Sequence, residues 1–582
     1  MPQDRVIETS RPPTVVTQVV KVNGTEVPLQ FRAETIVINK EVNRIPTARL
    51  VFIDGSASEE KFEASNGNLF IPGNEIEIQA GYESDNKTIF KGVIVKQSVK
   101  IRSNNSILII ECKDKAVKMT VGKKNKYFTD SVKDSDAIST MINTYGLNAE
   151  VETTDVTHKE LIQFETTDWD FMVNRADVNG KLVITDDGNI AVKKPNFTSS
   201  PVISLVYGAT ILELDAEIDA RHQLKAVKTK SWSSDDQAVK ETDAADPAVS
   251  LNGNITADDL ANVIGLNEYT IKHGGAVEDA ELQSWGNALW LKHQAAKVRG
   301  RVRFRGIDTV KPGVMIELGG LSDRFNGKCF VSAAQHHISA GDWQTEAQFG
   351  LNPEWFSQEH AINMMPASGL MAAVSGLQVG KVTQLENDPD GKNRIKIFLP
   401  IINNNEQGTW ARVATLDAGN DRGSFFLPEI GDEVIVGFIN DDPRDAIVLG
   451  MMNSSAKPAP LTAADANHEK GFVTRSKMKM IFNDDKKSFT LLTPAGKTMV
   501  VDDDAGIMKL EDENGNKFLM DTNGITIESY KEIKIKATTD LKMEAVNAET
   551  KASAGLKAEG SASAELKSSG MMTVKGSMVQ IN

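Results

Sequence analysis

Apolar and polar residues alternate along most of this 582-residue chain, and the most regular pattern lies near its C-terminal end. Pairs of apolar residues two positions apart recur there every eight residues, at Ile525/Ile527, Ile533/Ile535 and Leu541/Met543. An α-helix needs apolar spacing near 3.6 residues, so this pattern predicts strands that place both side chains of a pair on one face. One such strand carries too narrow an apolar stripe to form a core alone.

The repeat continues after residue 543 with an offset, at Leu556/Ala558, Ala564/Leu566, Met572/Val574 and, after seven residues, Val579/Ile581. We predict three chains winding round one axis, because each chain then supplies one side of a prism and inter-chain hydrogen bonds satisfy the backbone. The predicted axis residues are Ile525, Ile527, Ile533, Ile535, Leu541, Met543, Leu556, Leu566, Met572 and Val574. Two alternatives stay open: a disordered tail, favoured by the Ala/Ser-rich residues 552–570, and a single-chain β-solenoid.

The first 355 residues predict a mainly β region into which a few helices are inserted. Strands rich in β-branched residues, with Asn, Gly or Asp at the turns, are predicted over residues 14–115, 181–231 and 301–350. Helices are predicted near residues 134–146, 166–180 and 280–300. In the second helix, Thr167 and Asp170 form a capping-box pattern.

A short internal echo suggests that this region is duplicated. Residues 72–78 and 312–318 share the pattern P-G-x-x-I-E-[IL], and an F-x-G triplet follows each of them, at residues 90–92 and 325–327. Taken as a repeat, the echo predicts two related β-barrel-like modules. A chance match stays open, because Pro-Gly turns before strands are common.

The remaining segments differ in composition. Residues 232–260 are polar and acidic, which predicts an exposed, mobile insertion. Five short strands within residues 377–455, with DPDG as the first turn, predict a small OB-type barrel. Residues 356–376 are predicted to be a linker or a short helix, residues 456–471 a linker, and residues 472–582 a β-helical needle.

The predicted fold class is therefore mainly β, with five segments. It combines a hub domain of two β-barrel-like modules and a few helices, an OB-fold barrel, and a C-terminal intertwined triple-stranded β-helix, in a homotrimer. The hub domain covers residues 1–355, and the other boundaries are those given above.

Composition and charge narrow the function classes. The formal net charge of −15 argues against non-specific binding of nucleic acid, which needs a basic surface. Cys112 and Cys329 lie in strand-like contexts and are predicted to be core thiols, which fits assembly in a reducing cytoplasm. The N-terminal residues show no secretory signal pattern, and the chain contains no run of apolar residues long enough to span a bilayer.

With a hub region, an OB module and an eight-residue repeat in this order, the sequence resembles the VgrG family of contractile injection systems, whose members form the central spike. It is also similar to the fused hub and spike proteins of contractile-tail phages. The resemblance spans nearly the whole chain. The most specific segments are FETTDWDFMVNRADVNGKL, GKVTQLENDPDGKNRIKIFLP, PEIGDEVIVGF and EDENGNKFLMDTNGITIES.

The resemblance implies a homotrimeric spike at the tip of a contractile machine, with two modules per chain matching a hexameric inner tube. It also implies baseplate partners, a PAAR-like tip protein, possible effector cargo and transient contact with a target membrane. The residues expected to dock the tip protein are Met578, Val579, Gln580, Ile581 and Asn582. The protein would assemble in the bacterial cytoplasm and leave the cell within a type VI apparatus or a released phage-tail-like particle.

No signature of catalysis is present in the sequence. G-x-S-x-G, H-E-x-x-H, G-x-x-x-x-G-K-[ST] and C-x-x-C are all missing, so no catalytic, cofactor-binding or metal-binding residue is predicted. His336 and His337 are adjacent in a predicted strand and should point to opposite faces. The chain is predicted not to be an enzyme. The alternatives are a tail-associated cell-wall hydrolase, which would need an insertion near residues 453–471, and a trimeric fibre or adhesin.

Overall fold

A computed structural model describes residues 15–103, 105–129, 131–400, 402 and 408–581. Within them the chain forms 37 strands and six α-helices, which confirms the mainly β fold class. It divides into two compact units, residues 1–375 with 440–443, and residues 376–439 with 444–582. None of the described helices is long and apolar enough to cross a membrane.

The first unit contains the larger share of the elements. Its strands are β1 Val16–Val22, β2 Thr25–Glu26, β3 Thr35–Glu41, β4 Thr47–Ile53, β5 Glu75–Tyr82, β6 Asp85–Ile101, β7 Ser106–Lys113, β8 Lys124–Phe128, β9 Val132–Lys133, β10 Asn148–Val151, β11 Thr157–His158, β12 Leu161–Thr166, β13 Leu182–Asp186, β14 Asn189–Lys193, β15 Ser204–Val206, β16 Ile211–Ile218, β17 Val227–Ser233, β18 Ala238–Asp243, β19 Tyr269–His273, β20 Val298–Arg305, β21 Met315–Gly319, β22 Gly327–Ser339 and β23 Asp342–Phe349. Its helices are α1 Glu63–Asn66, α2 Asp134–Thr144, α3 Asp168–Val178, α4 Ala257–Ile264, α5 Asp279–Ala295 and α6 Phe356–Glu359.

Two barrel-like modules share one continuous sheet. Module one orders its strands β3-β4-β7-β6-β5-β1, and module two orders its strands β16-β20-β23-β22-β21-β15. Each strand alternates apolar residues inward and polar residues outward, so each module encloses its own core. The strand β22 joins the modules, because its second half pairs with β3 of module one.

The Pro-Gly echo marks equivalent places in the two modules. The Gly73 N–H donates to the Ile94 carbonyl at 2.8 Å, and the Gly313 N–H donates to the Val331 carbonyl at 2.8 Å. Both glycines have positive φ, which side chains rarely tolerate. The F-x-G part of the echo is wrong, because Gly92 lies opposite Ile76 whereas Gly327 lies opposite Leu318, two residues further along.

Two of the predicted helices, α2 and α3, follow module one in the chain and belong to a separate core. Helices α2 and α3 pack their apolar stripes into one core with the strands β13 and β14. The Thr167 hydroxyl caps α3 by accepting the Asp170 N–H at 3.0 Å, as the capping pattern predicts. Trp169, 4% exposed, belongs to this core.

Most of residues 232–260 are exposed, as predicted, but the segment is not unstructured, because it contains the strand β18 and the start of α4. The strands β17, β18 and β19 form a three-stranded sheet on which α5 packs, and Thr229 of β17 donates to the Leu282 carbonyl of α5 at 3.2 Å. Further along, Asn252 is buried and its N–H donates to the Lys328 carbonyl at 2.9 Å. Within the segment, Glu241 of β18 pairs with Lys228 and Lys230 of β17 on an exposed face of this sheet.

The second unit begins with a closed five-stranded barrel and continues into a long antiparallel sheet. The barrel strands are β24 Gln378–Gln384, β25 Ile395–Phe398, β26 Thr409–Val413, β29 Glu433–Phe438 and β30 Ala446–Met451, and a small hairpin, β27 Ala418–Gly419 with β28 Arg422–Gly423, lies between them. The long sheet contains β31 Glu469–Val473, β32 Lys479–Asn483, β33 Ser488–Leu492, β34 Thr498–Asp502, β35 Ile507–Glu511, β36 Lys517–Asp521 and β37 Gly524–Glu528. The boundaries of the predicted segments stay predictions.

Candidate assembly face

The seven strands from β31 to β37 follow a repeat that the sequence pattern alone did not reveal. Each strand has five residues and pairs antiparallel with the next strand along the chain. The starts of β31, β33 and β35, at residues 469, 488 and 507, are 19 residues apart. The starts of β32, β34 and β36, at residues 479, 498 and 517, have the same spacing.

The turns of this repeat are closed by equivalent hydrogen bonds. In each five-residue turn the first backbone N–H donates to the carbonyl of the fifth residue, and the side-chain oxygen of the first residue accepts the N–H of the fifth. The pairs are Thr474 with Met478, Thr493 with Lys497 and Asp512 with Asn516, and the side-chain bonds measure 3.2, 3.1 and 2.9 Å. Three copies of one turn therefore lie along one edge of the sheet.

One face of the sheet is almost entirely apolar. Pairs of residues two apart on each strand share this face, and the strand register aligns them in two columns across all seven strands. We call this surface the apolar face. It consists of Phe472, Met480, Phe482, Phe489, Leu491, Met499, Val501, Met508, Leu510, Phe518, Met520, Ile525 and Ile527.

The described chain leaves most of the apolar face open to solvent. No residue between 452 and 581 is buried. Phe482 is 45% exposed, and Met508 and Leu510 are about half exposed. The opposite face mixes Ile481, Val500 and Leu519 with Lys and Glu, including a Lys517–Glu528 ion pair at 2.9 Å. A sheet of this kind has no core of its own.

The predicted axis residues continue the apolar face beyond the sheet. Ile525 and Ile527 are in β37, the last strand, and the described residues from 529 to 581 form no strand within the chain. Every predicted axis side chain is at least half exposed, from 50% for Met572 to 89% for Leu566. Their arrangement around a three-fold axis stays a prediction.

The predicted docking residues lie in the same stretch. Met578, Val579 and Ile581 are 85, 51 and 90% exposed, and Gln580 is exposed as well. Asn582 lies outside the described residues. Their role in tip binding stays a prediction.

The sequence reasoning missed eleven of the thirteen residues of the apolar face, from Phe472 to Met520. The signal was present, because the same apolar pairs recur at residues 480/482, 489/491, 499/501, 508/510 and 518/520 in steps of nine and ten residues. Those steps predict strands, but their spacing does not match the eight-residue repeat. The pairs of residues 472–527 belong to strands that pair within one chain, so inter-chain weaving remains a prediction only for residues 529–581.

The barrel and the sheet are joined by contacts at the start of the apolar face. Phe426, in the loop before β29, stacks on Phe472 with ring centroids 5.2 Å apart. The Arg475 guanidinium pairs with the Glu429 carboxylate at 2.8 Å. The apolar surface therefore extends from the sheet onto the barrel loop.

Two buried titratable groups of the first unit, His336 and Asp134, have lowered pKa values for different reasons. Burial is the main cause that lowers the pKa of His336 to about 3, and His336 and His337 lie on opposite faces of β22. Asp134 is buried, yet hydrogen bonds from His158 and Arg175 outweigh the burial and keep its pKa well below the usual range. Among the described residues, no group of three or more His, Cys, Asp or Glu side chains is arranged to hold a metal ion.

The two cysteines are buried free thiols, as predicted. Burial raises the pKa of Cys112 and of Cys329 well above the usual range, so both thiols stay protonated.

Two family descriptions match the chain. Residues 12–340, more than half of the chain, match the Alg8 N-terminal domain. Residues 378–452 match the type VI secretion system/phage-baseplate injector OB domain, which coincides with the closed barrel.

Curated relatives are similar over parts of the chain. The type VI secretion system spike protein VgrG1b of Pseudomonas aeruginosa is 23% identical over 345 residues, which cover 54% of this chain and 44% of the relative. The spike protein VgrG3 of Vibrio cholerae is 35% identical over 80 residues, or 13% of this chain and 8% of the relative. The matches therefore span less than half the length of these relatives.

Among solved structures, the lidded PdpA-VgrG complex of Francisella has 9% sequence identity and a TM-score of 0.38. That comparison covers 89% of this chain and 81% of the other.

Proposed function

The chain belongs to the family of the Alg8 N-terminal domain and is a VgrG-family spike protein, and from this premise we propose that it acts as a homotrimer at the tip of a contractile injection machine. The observation that carries the proposal is the uncovered apolar face, which continues into the exposed pairs of residues 529–581. Copies of the same chain are the simplest cover, since most oligomers of soluble proteins are symmetric.

Three copies of the chain fit the apolar face and the exposed apolar pairs of residues 529–581 better than two copies do. Residues 529–581 repeat an apolar pair about every eight residues, and residues 529–554 contain neither Gly nor Pro to form a tight hairpin turn. The described residues 529–581 form no strands paired within the chain, so this stretch does not fold back on itself as β31–β37 do. Its backbone groups then need strands from other copies. Three such copies form a prism with a narrow axis that two inward side chains per strand can fill.

The two modules of the first unit support a role as an adaptor. Each chain carries two modules of the same strand order, so a trimer presents six similar modules. A six-fold set of modules fits a hexameric inner tube, and the prism of residues 529–581 is the part proposed to meet the target envelope. Baseplate proteins and a PAAR-like tip protein at residues 578–582 complete the proposed partners.

We propose a mechanical role without catalysis. Curated relatives are named as spike proteins, although another, from Vibrio cholerae, is named an actin cross-linking toxin and matches over only 77 residues. Its 39% identity covers 12% of this chain, so the toxin name does not transfer. The proposed route is delivery outside the cell, within a type VI apparatus or a released phage-tail-like particle.

Light scattering coupled to size exclusion tests the trimer directly. The intact chain should have three times the monomer mass of 63.4 kDa. Ile533→Asp places three like charges on the proposed axis and should leave monomers, whereas Lys534→Asp, on the neighbouring outward position, should leave the trimer intact. A dimeric mass, or a stable Ile533→Asp trimer, would refute the three-chain prism.

A further inference from the structure

Five strands of the two modules correspond, β3-β4-β7-β6-β5 to β16-β20-β23-β22-β21, and the correspondence extends to a bulge. The sixth strands differ, because β1 pairs antiparallel with β5 whereas β15 pairs parallel with β21. After the Gly73–Ile94 contact, the register of β6 against β7 shifts between Ile94 and Lys96. After the Gly313–Val331 contact, the register of β22 against β23 shifts between Val331 and Ala333. Each bulge therefore begins at the residue held by the Pro-Gly turn, and β6 and β22 correspond residue by residue.

Beyond its bulge, β22 has strands on both sides. Residues 333–339 pair with β23 on one side and with β3 of module one on the other. In that second pairing Ile338 lies opposite Ile36, and the two side chains are 3% and 0% exposed. This is how one module docks against the other within the chain.

Beyond its own bulge, β6 has a strand on one side only. Residues 96–101 pair with β7, and the described residues provide no strand on the other side. Ile101, the equivalent of Ile338, is 65% exposed, and Val99, the equivalent of the buried His336, is 43% exposed.

The strand β16 is the matching uncovered edge. It is equivalent to β3, because it ends the order of module two as β3 ends that of module one. Among the described strands it pairs with β20 alone. Leu214 and Ala216 of β16 correspond to Ile36 and Ile38, which are fully buried in module one.

We propose that residues 96–102 of one copy pair antiparallel with residues 213–219 of a second copy, in the register that joins β22 to β3 within the chain. Applying that register places Ile101 opposite Leu214 and Val99 opposite Ala216. The inference rests on the proposed trimer, because it names the surface through which the copies meet in the first unit.

The proposed register follows from the backbone pairing of β22 with β3, and the charges of the side chains are complementary in it. Every charged residue of residues 96–102 falls opposite a residue of opposite charge. The pairs are Lys96 with Asp219, Lys100 with Asp215 and Arg102 with Glu213. Opposite charges and apolar pairs then occupy alternate faces, which is the arrangement that stabilises cross-strand pairs.

The contact joins two different surfaces, so it can be repeated from copy to copy. Such a head-to-tail interface generates a closed ring when its rotation closes. In a ring of three copies, the contact between the two modules of one chain would alternate with the contact between modules of neighbouring chains. The six modules would then share one continuous sheet.

A disulfide cross-link tests the register. In the intact chain, Ile101→Cys with Leu214→Cys brings two thiols to directly opposed positions, where Cα atoms lie about 4.5–5.5 Å apart, within the range for a disulfide. Mild oxidation should give covalent dimers and trimers on a non-reducing gel. The buried Cys112 and Cys329 thiols should contribute no background.

The matched control is Gln97→Cys with Leu214→Cys, because Gln97 is on the same face of β6 but about 13 Å further along the strand. We expect at least about tenfold less cross-linking from it. Lys100→Glu should lower the yield of the Ile101–Leu214 disulfide, whereas Lys87→Glu, at the other end of the same strand, should not.

The outcomes separate this inference from the proposed function. A trimeric mass with no more cross-linking than the control overturns the strand pairing and leaves the trimer standing. A monomeric mass overturns both. A covalent ladder that continues past three copies supports the pairing but contradicts the three-copy ring.

Discussion

The closed barrel of residues 378–451 and the open sheet of residues 469–528 are both built from short strands, yet only the barrel buries a core. All neighbouring strands of the sheet are antiparallel, and so are those of the barrel except β26 and β30, which pair parallel. Val382, Ile397, Val434, Val436 and Val448 are each no more than 1% exposed. In the sheet, no residue is buried, and its thirteen apolar face residues remain partly or largely open to solvent.

The difference lies in closure rather than in composition. The barrel strands curl until β29 pairs with β24, so their inward side chains meet one another. The sheet strands pair only with their sequence neighbours, and most of their apolar face stays open to solvent in the single chain. A fold of the first kind is complete in one copy, whereas the second kind requires a partner surface.

The largest expected effect comes from placing a charge on the apolar face. Met499→Asp puts a carboxylate at the centre of that face, where the proposed trimer excludes water, so the trimer should dissociate completely at micromolar concentration. Light scattering measures the mass, and circular dichroism shows whether the strands persist in the monomer.

Thr490→Asp is the matched control, because Thr490 lies on the opposite face of the neighbouring strand β33. The trimeric mass should not change. If both variants kept the trimer, the apolar face would not be the surface that joins the copies.

A second prediction concerns acid and the self-contained core of the first unit. His336 is fully buried with a pKa of about 3, mainly because burial disfavours its charged form, while an unfolded histidine titrates near 6.5. The unfolded state binds a proton first as the pH falls, so stability is full above about 6.5 and drops by about 1.4 kcal/mol per pH unit below it.

Urea unfolding followed by tryptophan fluorescence at pH 7, 6 and 5 measures this slope. His336→Gln should flatten it, and His337→Gln, on the exposed side of β22, should not. An unchanged slope in His336→Gln would show that other groups control the acid response.

A smaller effect is expected from the barrel core. Val436→Ala removes buried methyl groups from a site that is 0% exposed, and the loss should cost about 2 kcal/mol. The midpoint of thermal unfolding of the barrel should fall, but the trimeric mass should stay the same. Loss of the trimer in this variant would mean that the barrel core, and not only the apolar face, supports assembly.

Periodicity in the sequence was enough to predict the mainly β class, the small barrel and the helix from Asp168 to Val178. These features rest on local signals, such as the i, i+2 spacing of apolar residues and the Thr167 cap. The Pro-Gly echo also predicted that the two modules are related. It lies at a turn that the same backbone hydrogen bond closes in each module, from Gly73 to Ile94 and from Gly313 to Val331.

Features that depend on distant pairing were not predictable from local patterns. The polar residues 232–243 complete a hairpin with β17, in which Lys228 and Lys230 pair with Glu241 across the strands, whereas the sequence alone suggested a mobile insertion. In the same way, the pairing of β22 with β3 connects residues about 300 positions apart. The uncovered edges of β6 and β16 could be recognised only after that pairing was known.

The smallest expected effect tests the turns that repeat along the sheet. The Thr493 hydroxyl accepts the Lys497 N–H at 3.1 Å in an exposed turn, and Thr493→Val keeps the shape while removing the acceptor. One hydrogen bond of this kind contributes about 0.5–1.5 kcal/mol, so the trimer should persist with slightly lower stability. Thr526→Val, on β37 outside the turns, is the control and should be nearly neutral.

Because three turns share the same closure, a combined change at Thr474 and Thr493 should add the two losses of stability if the turns act independently. Hydrogen exchange of the Met478 and Lys497 amides would report each turn separately.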